Sequence, residues 1–191
     1  MQKKANTQTE IHPLIAERWS PRSFDENAVI ATDDVVGLLE AARWAPSASN
    51  NQPWRFAIAK RGEEFFTEIH STLMGFNKAW TPRAAALIVL AVETVDNEGK
   101  PRKWAFYDAG LAASLLTVEA HARGYHVHTM AGFDAEQMKN LLGTAETVQP
   151  IMVLAVGKLA PAEQLEDALH QREVADRSRL SLDEILLRPL S

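Results

Sequence analysis

Apolar and polar positions along the 191-residue chain change their period several times, and each change marks a new element. Thr32-Asp33-Asp34 opens a helix: Val35, Leu38, Leu39 and Ala42 share one face, and the two acids suit its positive end. Thr32 is the expected N-cap, and Pro46 ends the helix soon after Trp44. Trp54 to Ala59 predicts a short strand, and Glu63 to Met74 returns to helical spacing. Ala84 to Val92 is apolar throughout, as in a central strand covered on both faces. Lys103 to Arg123 predicts a long helix closed by Gly124. Its Ala105, Ala109, Gly110, Ala112, Ala113 and Ser114 let another helix approach closely. Tyr125 to Met130 and Ile151 to Val156 read as strands. Asp134 caps a helix through Leu142, and Leu182 to Leu187 forms a last short one. Residues 1–10 are polar and expected to be loose. Helices and strands follow one another without strict alternation, which predicts an α+β fold rather than a doubly wound sheet. No repeat, biased tract or long linker divides the chain, so residues 1–191 are expected to form a single domain.

Composition narrows the chemistry. The net charge is −5 and the pI about 5.7, which argues against the broad basic face of a nucleic-acid binder but leaves room for a local basic pocket. Cysteine is absent, which excludes disulfides, thiolate metal sites and thiol redox chemistry. A redox function would have to be carried by a bound cofactor. The N-terminus lacks the apolar core of a signal peptide, and Ala84 to Val92 is too short to cross a bilayer. The expected location is cytoplasmic, with no membrane partner.

Three segments carry candidate chemistry. In Arg18-Trp19-Ser20-Pro21-Arg22-Ser23-Phe24, an extended backbone would turn Arg18, Ser20 and Arg22 to one side, where two guanidiniums and a hydroxyl suit a phosphate monoester. Taken alone, the segment also suits a solvated basic loop. Ala45-Pro46-Ser47-Ala48-Ser49-Asn50-Asn51-Gln52-Pro53-Trp54-Arg55-Phe56 is crowded with amides and hydroxyls that both donate and accept, matching the mixed edge of a heteroaromatic ring or a plain Asx turn. Arg177-Ser178-Arg179 repeats the paired guanidiniums among acids, where surface ion pairs are the simpler reading. His126 and His128 sit two apart on a strand without a third metal ligand at suitable spacing, so no metal site is expected. Asp108 and Glu119 are too far apart on one helix to form a catalytic pair, and no catalytic residue of the chain's own stands out.

Together these segments closely resemble the FMN-dependent nitroreductase family, with Asn77, Asp108-Ala109-Gly110, Gly132-Phe133-Asp134 and Pro150 to Gly157 following in the family's order. The resemblance covers about residues 12 to 187. It implies an α+β fold with a mixed, mostly antiparallel sheet flanked by helices, in an intertwined homodimer with FMN at the interface. By the same resemblance Arg18, Ser20 and Arg22, with Trp19 beside them, hold the phosphate and ribityl side, and Arg177 and Arg179 close on the phosphate. Pro46, Ser47 and Asn50 come from the partner subunit to line the ring. Asn77 meets its pyrimidine edge, and Ala131 and Gly132 offer backbone N–H groups near N5.

The implied reaction is a ping-pong hydride transfer from NADH or NADPH through FMN N5 to a nitroaromatic, quinone or similar small acceptor. The same flavin fold also suits aldehyde or enone reduction, dehalogenation or flavin breakdown, and a non-catalytic flavin-binding module is the remaining alternative. The chain departs from the family pattern at two positions. Trp80 stands where a lysine is frequent, and Ala131 where a glutamate is frequent. Trp80 is expected either to stack on the substrate or to pack beneath a loop.

Overall fold

A four-stranded sheet with strand order β1-β2-β4-β3 runs through the middle of the computed structural model, which describes residues 3–189. The strands are β1 (Trp54–Lys60), β2 (Ala86–Glu93), β3 (His126–Met130) and β4 (Val148–Gly157). All three pairings are antiparallel. The helices are α1 (Pro13–Glu17), α2 (Thr32–Arg43), α3 (Glu64–Thr72), α4 (Asn77–Trp80), α5 (Ala105–Ala122), α6 (Ala135–Leu142), α7 (Asp167–Val174) and α8 (Leu182–Ile185).

β2 explains the layering. Ala86, Ile88, Leu90 and Val92 join one core with residues of α2 and α5, while Leu87 and Val89 join another with residues of α3, α6 and α7. The two-residue period of a strand thus splits one apolar run between two helical layers, and both faces are buried. The register shifts between Leu90 and Ala91, opposite the stretch holding Pro150. A proline has no N–H to give the ladder, so an irregularity is where β4 can hold one.

Several boundaries differ from the sequence expectation, for local reasons. Thr32 does not cap α2: Ala31 occupies the N-cap without a side-chain bond, and the Thr32 hydroxyl accepts from Lys60 Nζ at 2.7 Å. Asp134 does cap α6, accepting from the Gln137 N–H at 2.9 Å. Two helices carry no strong sequence signal. α1 has five residues, started by Pro13 and a His12 side-chain cap. α7 is largely polar and is held by the burial of Leu169 and Glu173. The chain near the N-terminus is not loose throughout: Lys3 Nζ donates to the Ala175 carbonyl at 2.5 Å, and the Ala5 N–H donates to Ala16 at 2.7 Å. Among the described residues no helix is long and apolar enough to cross a membrane.

Candidate active site

Segments from the N-terminal and C-terminal parts of the chain meet at one cavity. Arg18 leaves α1 in extended backbone, with φ −64° and ψ 130°. Arg18, Trp19, Ser20 and Arg22 then line a cavity of about 210 Å³ together with Lys3, Arg172, Arg177 and Arg179. Six cationic side chains from three separate stretches therefore share one small volume. Sequence reasoning found four of them. It missed Lys3, whose segment looked loose, and Arg172, which lies in the unpredicted α7.

The cations in this cavity repel one another, with Asp176 the one acid among its lining residues. Burial, then Arg177 and Arg179, hold the Arg18 guanidinium below its ordinary pKa. Burial, followed by Arg179, does the same to Arg177. Burial lowers Arg22 as well, with Glu173 opposing the shift and Arg172 adding to it. Guanidiniums stay protonated in proteins, so the strain is relieved by an anion rather than by loss of a proton. Arg177 is partly committed, since its Nη1 donates to the Lys3 and Ala16 carbonyls at 2.6 and 2.7 Å. The other guanidiniums keep more donors for a ligand: among the described residues, Arg179 Nη1 donates only to its neighbour Ser178.

The extended segment is bolted to the sheet. Pro21 offers its carbonyl to His128 Nδ1 at 2.9 Å. A carbonyl only accepts, so His128 carries its hydrogen on Nδ1. Burial, then the nearby Arg22 charge, pulls the His128 imidazole down to about 4. Its unfolded value is near 6.5, so between pH 6.5 and 4 the unfolded chain binds a proton that the folded chain refuses. Stability therefore falls as the pH drops through that window, by up to about 3 kcal/mol for this group. His126 is also lowered to about 4, by burial and by His121, and adds a smaller share after solvent screening. Thermal melts at pH 7 and pH 5 should show the loss, and His128→Gln should reduce it. An unchanged melting temperature at the two pH values would contradict this reading of His128.

The same neighbourhood corrects the expectation for Trp80. Its side chain is fully buried and packs against Phe24 and His128, at ring-centroid distances of 5.9 and 4.7 Å. Buried beneath the Arg18–Phe24 segment, it offers no face for a substrate to stack on. The chain favours the apolar core here because β2 and β4 already supply Leu87, Val89 and Val153 to the same cluster. His126 and His128 also part company: His126 meets His121 edge-on at 5.1 Å, while His128 serves Pro21. Among the described residues no group of three or more His, Cys, Asp or Glu could hold a metal ion.

Arg18 and Ser20 also line a second, larger cavity of about 410 Å³, walled by β3 residues Val127 and Thr129 and by Gly110, Ala113 and Ser114 of α5. The small α5 residues thus leave a groove that continues from the arginines. Asn77 and Gly132 meet each other: Asn77 Nδ2 donates to the Gly132 carbonyl at 3.2 Å, and the Met74 N–H donates to that carbonyl at 2.9 Å. A β-carbon on residue 132 would stand 2.9 Å from Asn77 Nδ2, so a larger residue there would push the Asn77 amide aside. Ala131 is exposed next to this junction, and Met74 and Phe76 beside Asn77 are 57% exposed each. Arg172 lies over the Phe76 ring at 5.0 Å, linking this edge to the arginine cavity. The sequence gives no sign of Met74 and Phe76 as site residues, because exposure is visible only in the fold.

Pro46, Ser47 and Asn50 line neither cavity. Their loop lies at the N-terminal end of α5, where both carboxylate oxygens of buried Asp108 accept from the Ala48 N–H at 3.2 Å. Ser49, Asn50 and Gln52 have φ values of 52°, 56° and 45°, in the left-handed region that non-glycine residues avoid. Such conformations cost on the order of 1–3 kcal/mol each and persist where surrounding bonds over-determine them. Here Ser47 Oγ accepts from the Gln52 N–H at 3.1 Å, and Arg102 Nη1 donates to Asn51 Oδ1 at 2.9 Å.

Comparison with known proteins agrees with this architecture. The model of the nitroreductase family matches residues 15–69 and 64–158. A solved structure described as an oxidoreductase containing FMN superposes with a TM-score of 0.91, at 33% identity, covering 96% of this chain and 93% of that one. An uncharacterised 15.4 kDa protein of Mycolicibacterium smegmatis is 32% identical over 139 residues, 69% of this chain and 92% of the relative. The Bacillus subtilis putative NAD(P)H nitroreductase YodC is 25% identical over 186 residues, 79% of this chain and 91% of its own length. With the fold, the arginine cavity and the match to more than half its length in agreement, the chain belongs to the nitroreductase family.

Proposed function

We propose that the protein is a cytoplasmic, FMN-dependent oxidoreductase that takes electrons from NADH or NADPH and delivers them to a nitroaromatic, quinone or similarly electron-poor small molecule. The observation that carries this reading is the convergence of Arg18, Ser20, Arg22, Arg177 and Arg179 on one cavity that opens, through Arg18 and Ser20, toward a groove along β3 and α5. The residues fit FMN: a phosphate close to two negative charges offsets the mutual repulsion of the guanidiniums, and the groove gives the rest of the molecule a path between small side chains. Bound there, FMN would supply hydride transfer from the nicotinamide to the acceptor in a ping-pong cycle; the hydride step itself would need no acid or base from the protein, and the acceptor's protons would come from water.

The chain's own residues position and shield. Trp19, Ser20 and the arginines hold the phosphate and ribityl side. Asn77 and the Ala131–Gly132 backbone supply polar contacts at the ring's edge. Exposed Met74 and Phe76 give a flat acceptor an apolar wall beside them. At two positions where the family pattern often carries a lysine and a glutamate, this chain has the buried Trp80 and Ala131, so neither charge stands at this edge to act on the flavin.

Pro46, Ser47 and Asn50 complete the site from a second copy of the chain. A broad apolar face supports this: Trp44, Trp104, Phe106 and Tyr107 are 53–74% exposed around the same loop and the start of α5. The α8 arm likewise exposes Leu180, Ile185 and Leu187, which none of the described residues covers. A face of this size on a lone soluble chain marks an interface.

The test starts from protein loaded with FMN. Light scattering should give twice the 21.2 kDa chain mass. Anaerobic NADH or NADPH should bleach the yellow flavin within seconds, and a nitroaromatic or quinone should restore the colour. Restoration by an aldehyde or enone alone would move the reaction to carbonyl or alkene reduction. A colourless protein that fails to take up FMN would overturn the proposal, and a bound flavin that no nicotinamide bleaches would leave a binding module.

A further inference from the structure

Two carboxylates are buried among the described residues, Asp108 and Glu173, and each one grips backbone rather than a cation. Glu173, in the last turn of α7, is 2% exposed beside the cluster of six cations. A carboxylate there would be expected to lock onto a guanidinium in a two-pronged pair. It does not: the nearest guanidinium nitrogen, Arg22 Nη1, is 3.9 Å away. Instead Oε1 accepts from the N–H groups of Arg22 and Ser23, each at 3.0 Å, and Oε2 accepts from the Arg22 N–H at 2.9 Å.

The peptide that Glu173 holds is the hinge of the anion-gathering segment. Upstream, Pro21 is tied to His128. Downstream, Ser23 Oγ donates to the Pro161 carbonyl at 2.6 Å, and Gln164 Nε2 donates to Ser23 Oγ and to the Phe24 carbonyl, each at 2.8 Å. The 22–23 backbone between these anchors takes its bonds from Glu173. We infer that Glu173 is a positioning residue for anion capture: it fixes the 22–23 peptide so that Ser20 and Arg22 face the cavity, while leaving the Arg22 guanidinium free for a phosphate. This inference rests on reading the cavity as the FMN phosphate site. Removing the carboxylate leaves the buried Ser23 N–H and the part-buried Arg22 N–H unpaired and lets Arg22 turn away, a loss that outweighs the removal of a negative charge already spent on those N–H groups.

The experiment compares FMN with riboflavin, which lacks the phosphate, by fluorescence titration of flavin-stripped protein. Glu173→Ala should weaken FMN binding roughly 10- to 100-fold while riboflavin binding stays nearly constant. Glu173→Gln should fall between, because an amide oxygen can keep both Oε1 bonds while its NH₂ faces the Arg22 N–H that Oε2 had accepted. General destabilisation would lower both flavins together, so the FMN-to-riboflavin ratio separates positioning from a merely structural role. Arg179→Ala serves as the reference. If it lowers the ratio and Glu173→Ala leaves it within about twofold of wild type, the positioning role is overturned and the phosphate site stands. If neither changes the ratio, the phosphate reading itself fails. Should Glu173→Ala not fold, an unchanged ratio in Glu173→Gln overturns the inference equally.

Discussion

Replacing Arg22 and Arg179 together by alanine should strip FMN from the protein while leaving the fold intact. Each removes charge-assisted hydrogen bonds to a phosphate, worth about 1.5–3 kcal/mol apiece. If the two losses add, about 3–6 kcal/mol corresponds to roughly two to four orders of magnitude in FMN affinity. The pair is chosen for what it leaves alone. Arg177 Nη1 fastens Lys3 and Ala16, so its loss would also release the N-terminal segment. Among the described residues Arg179 Nη1 donates only to the neighbouring Ser178 carbonyl, and Arg22 meets Glu173 at the loose distance of 3.9 Å. Neither side chain is part of either apolar core. The two residues lie far apart in sequence, so a strong joint effect is evidence that they act on one ligand. Flavin retained after gel filtration, and its dissociation constant over a range of salt, check the expectation. The salt dependence should weaken in the double variant, because fewer charges take part. Unchanged FMN retention would show that this cavity is not where the phosphate goes.

Trp80→Ala should destabilise the protein by about 3–5 kcal/mol, as large-to-small changes of buried aromatics do. The cost has two parts, transfer of a large apolar surface and a cavity between Phe24 and His128 that rigid strands cannot fill. The melting temperature should fall on the order of 10 °C for a chain of this size. Trp80→Phe should keep most of the packing and lose less. It also frees the structure of an oddity, since the indole Nε1 is buried without a hydrogen-bond partner. Kinetics separate this packing role from substrate stacking, the other expectation for Trp80. In Trp80→Phe, the KM for a nitroaromatic or quinone should stay within about twofold of wild type. A tenfold rise in KM at unchanged stability would return Trp80 to the substrate.

Much of the core is legible in the sequence. β2 is an unbroken apolar run, and only a strand covered twice tolerates one. α5 announced itself by length and by Gly124, which ends it with a φ of 77°. α7 was illegible because its apolar content is slight, and what holds it is Glu173, a residue type read as solvent-facing until its backbone partners are seen. Trp80 misled for a related reason. A tryptophan at a position associated with chemistry looks like a ligand contact, and whether its ring faces a cleft or a core depends on Phe24, more than fifty positions earlier.

By itself the sequence determined the arginine and serine spacing of residues 18–22, the amide-rich loop after Pro46, the absence of thiol chemistry and the alternation of apolar positions in the strands. These follow from local geometry and side-chain chemistry, which a chain carries wherever it goes. Only the tertiary structure decided that Arg18 and Arg179 share a cavity with Lys3 and Arg172, that Asn77 closes on Gly132, and that Glu173 turns inward to hold the 22–23 peptide. Those are juxtapositions of segments far apart in sequence. They arise when two helical layers bury the two faces of one sheet, and the energy that selects them belongs to the whole core rather than to any motif.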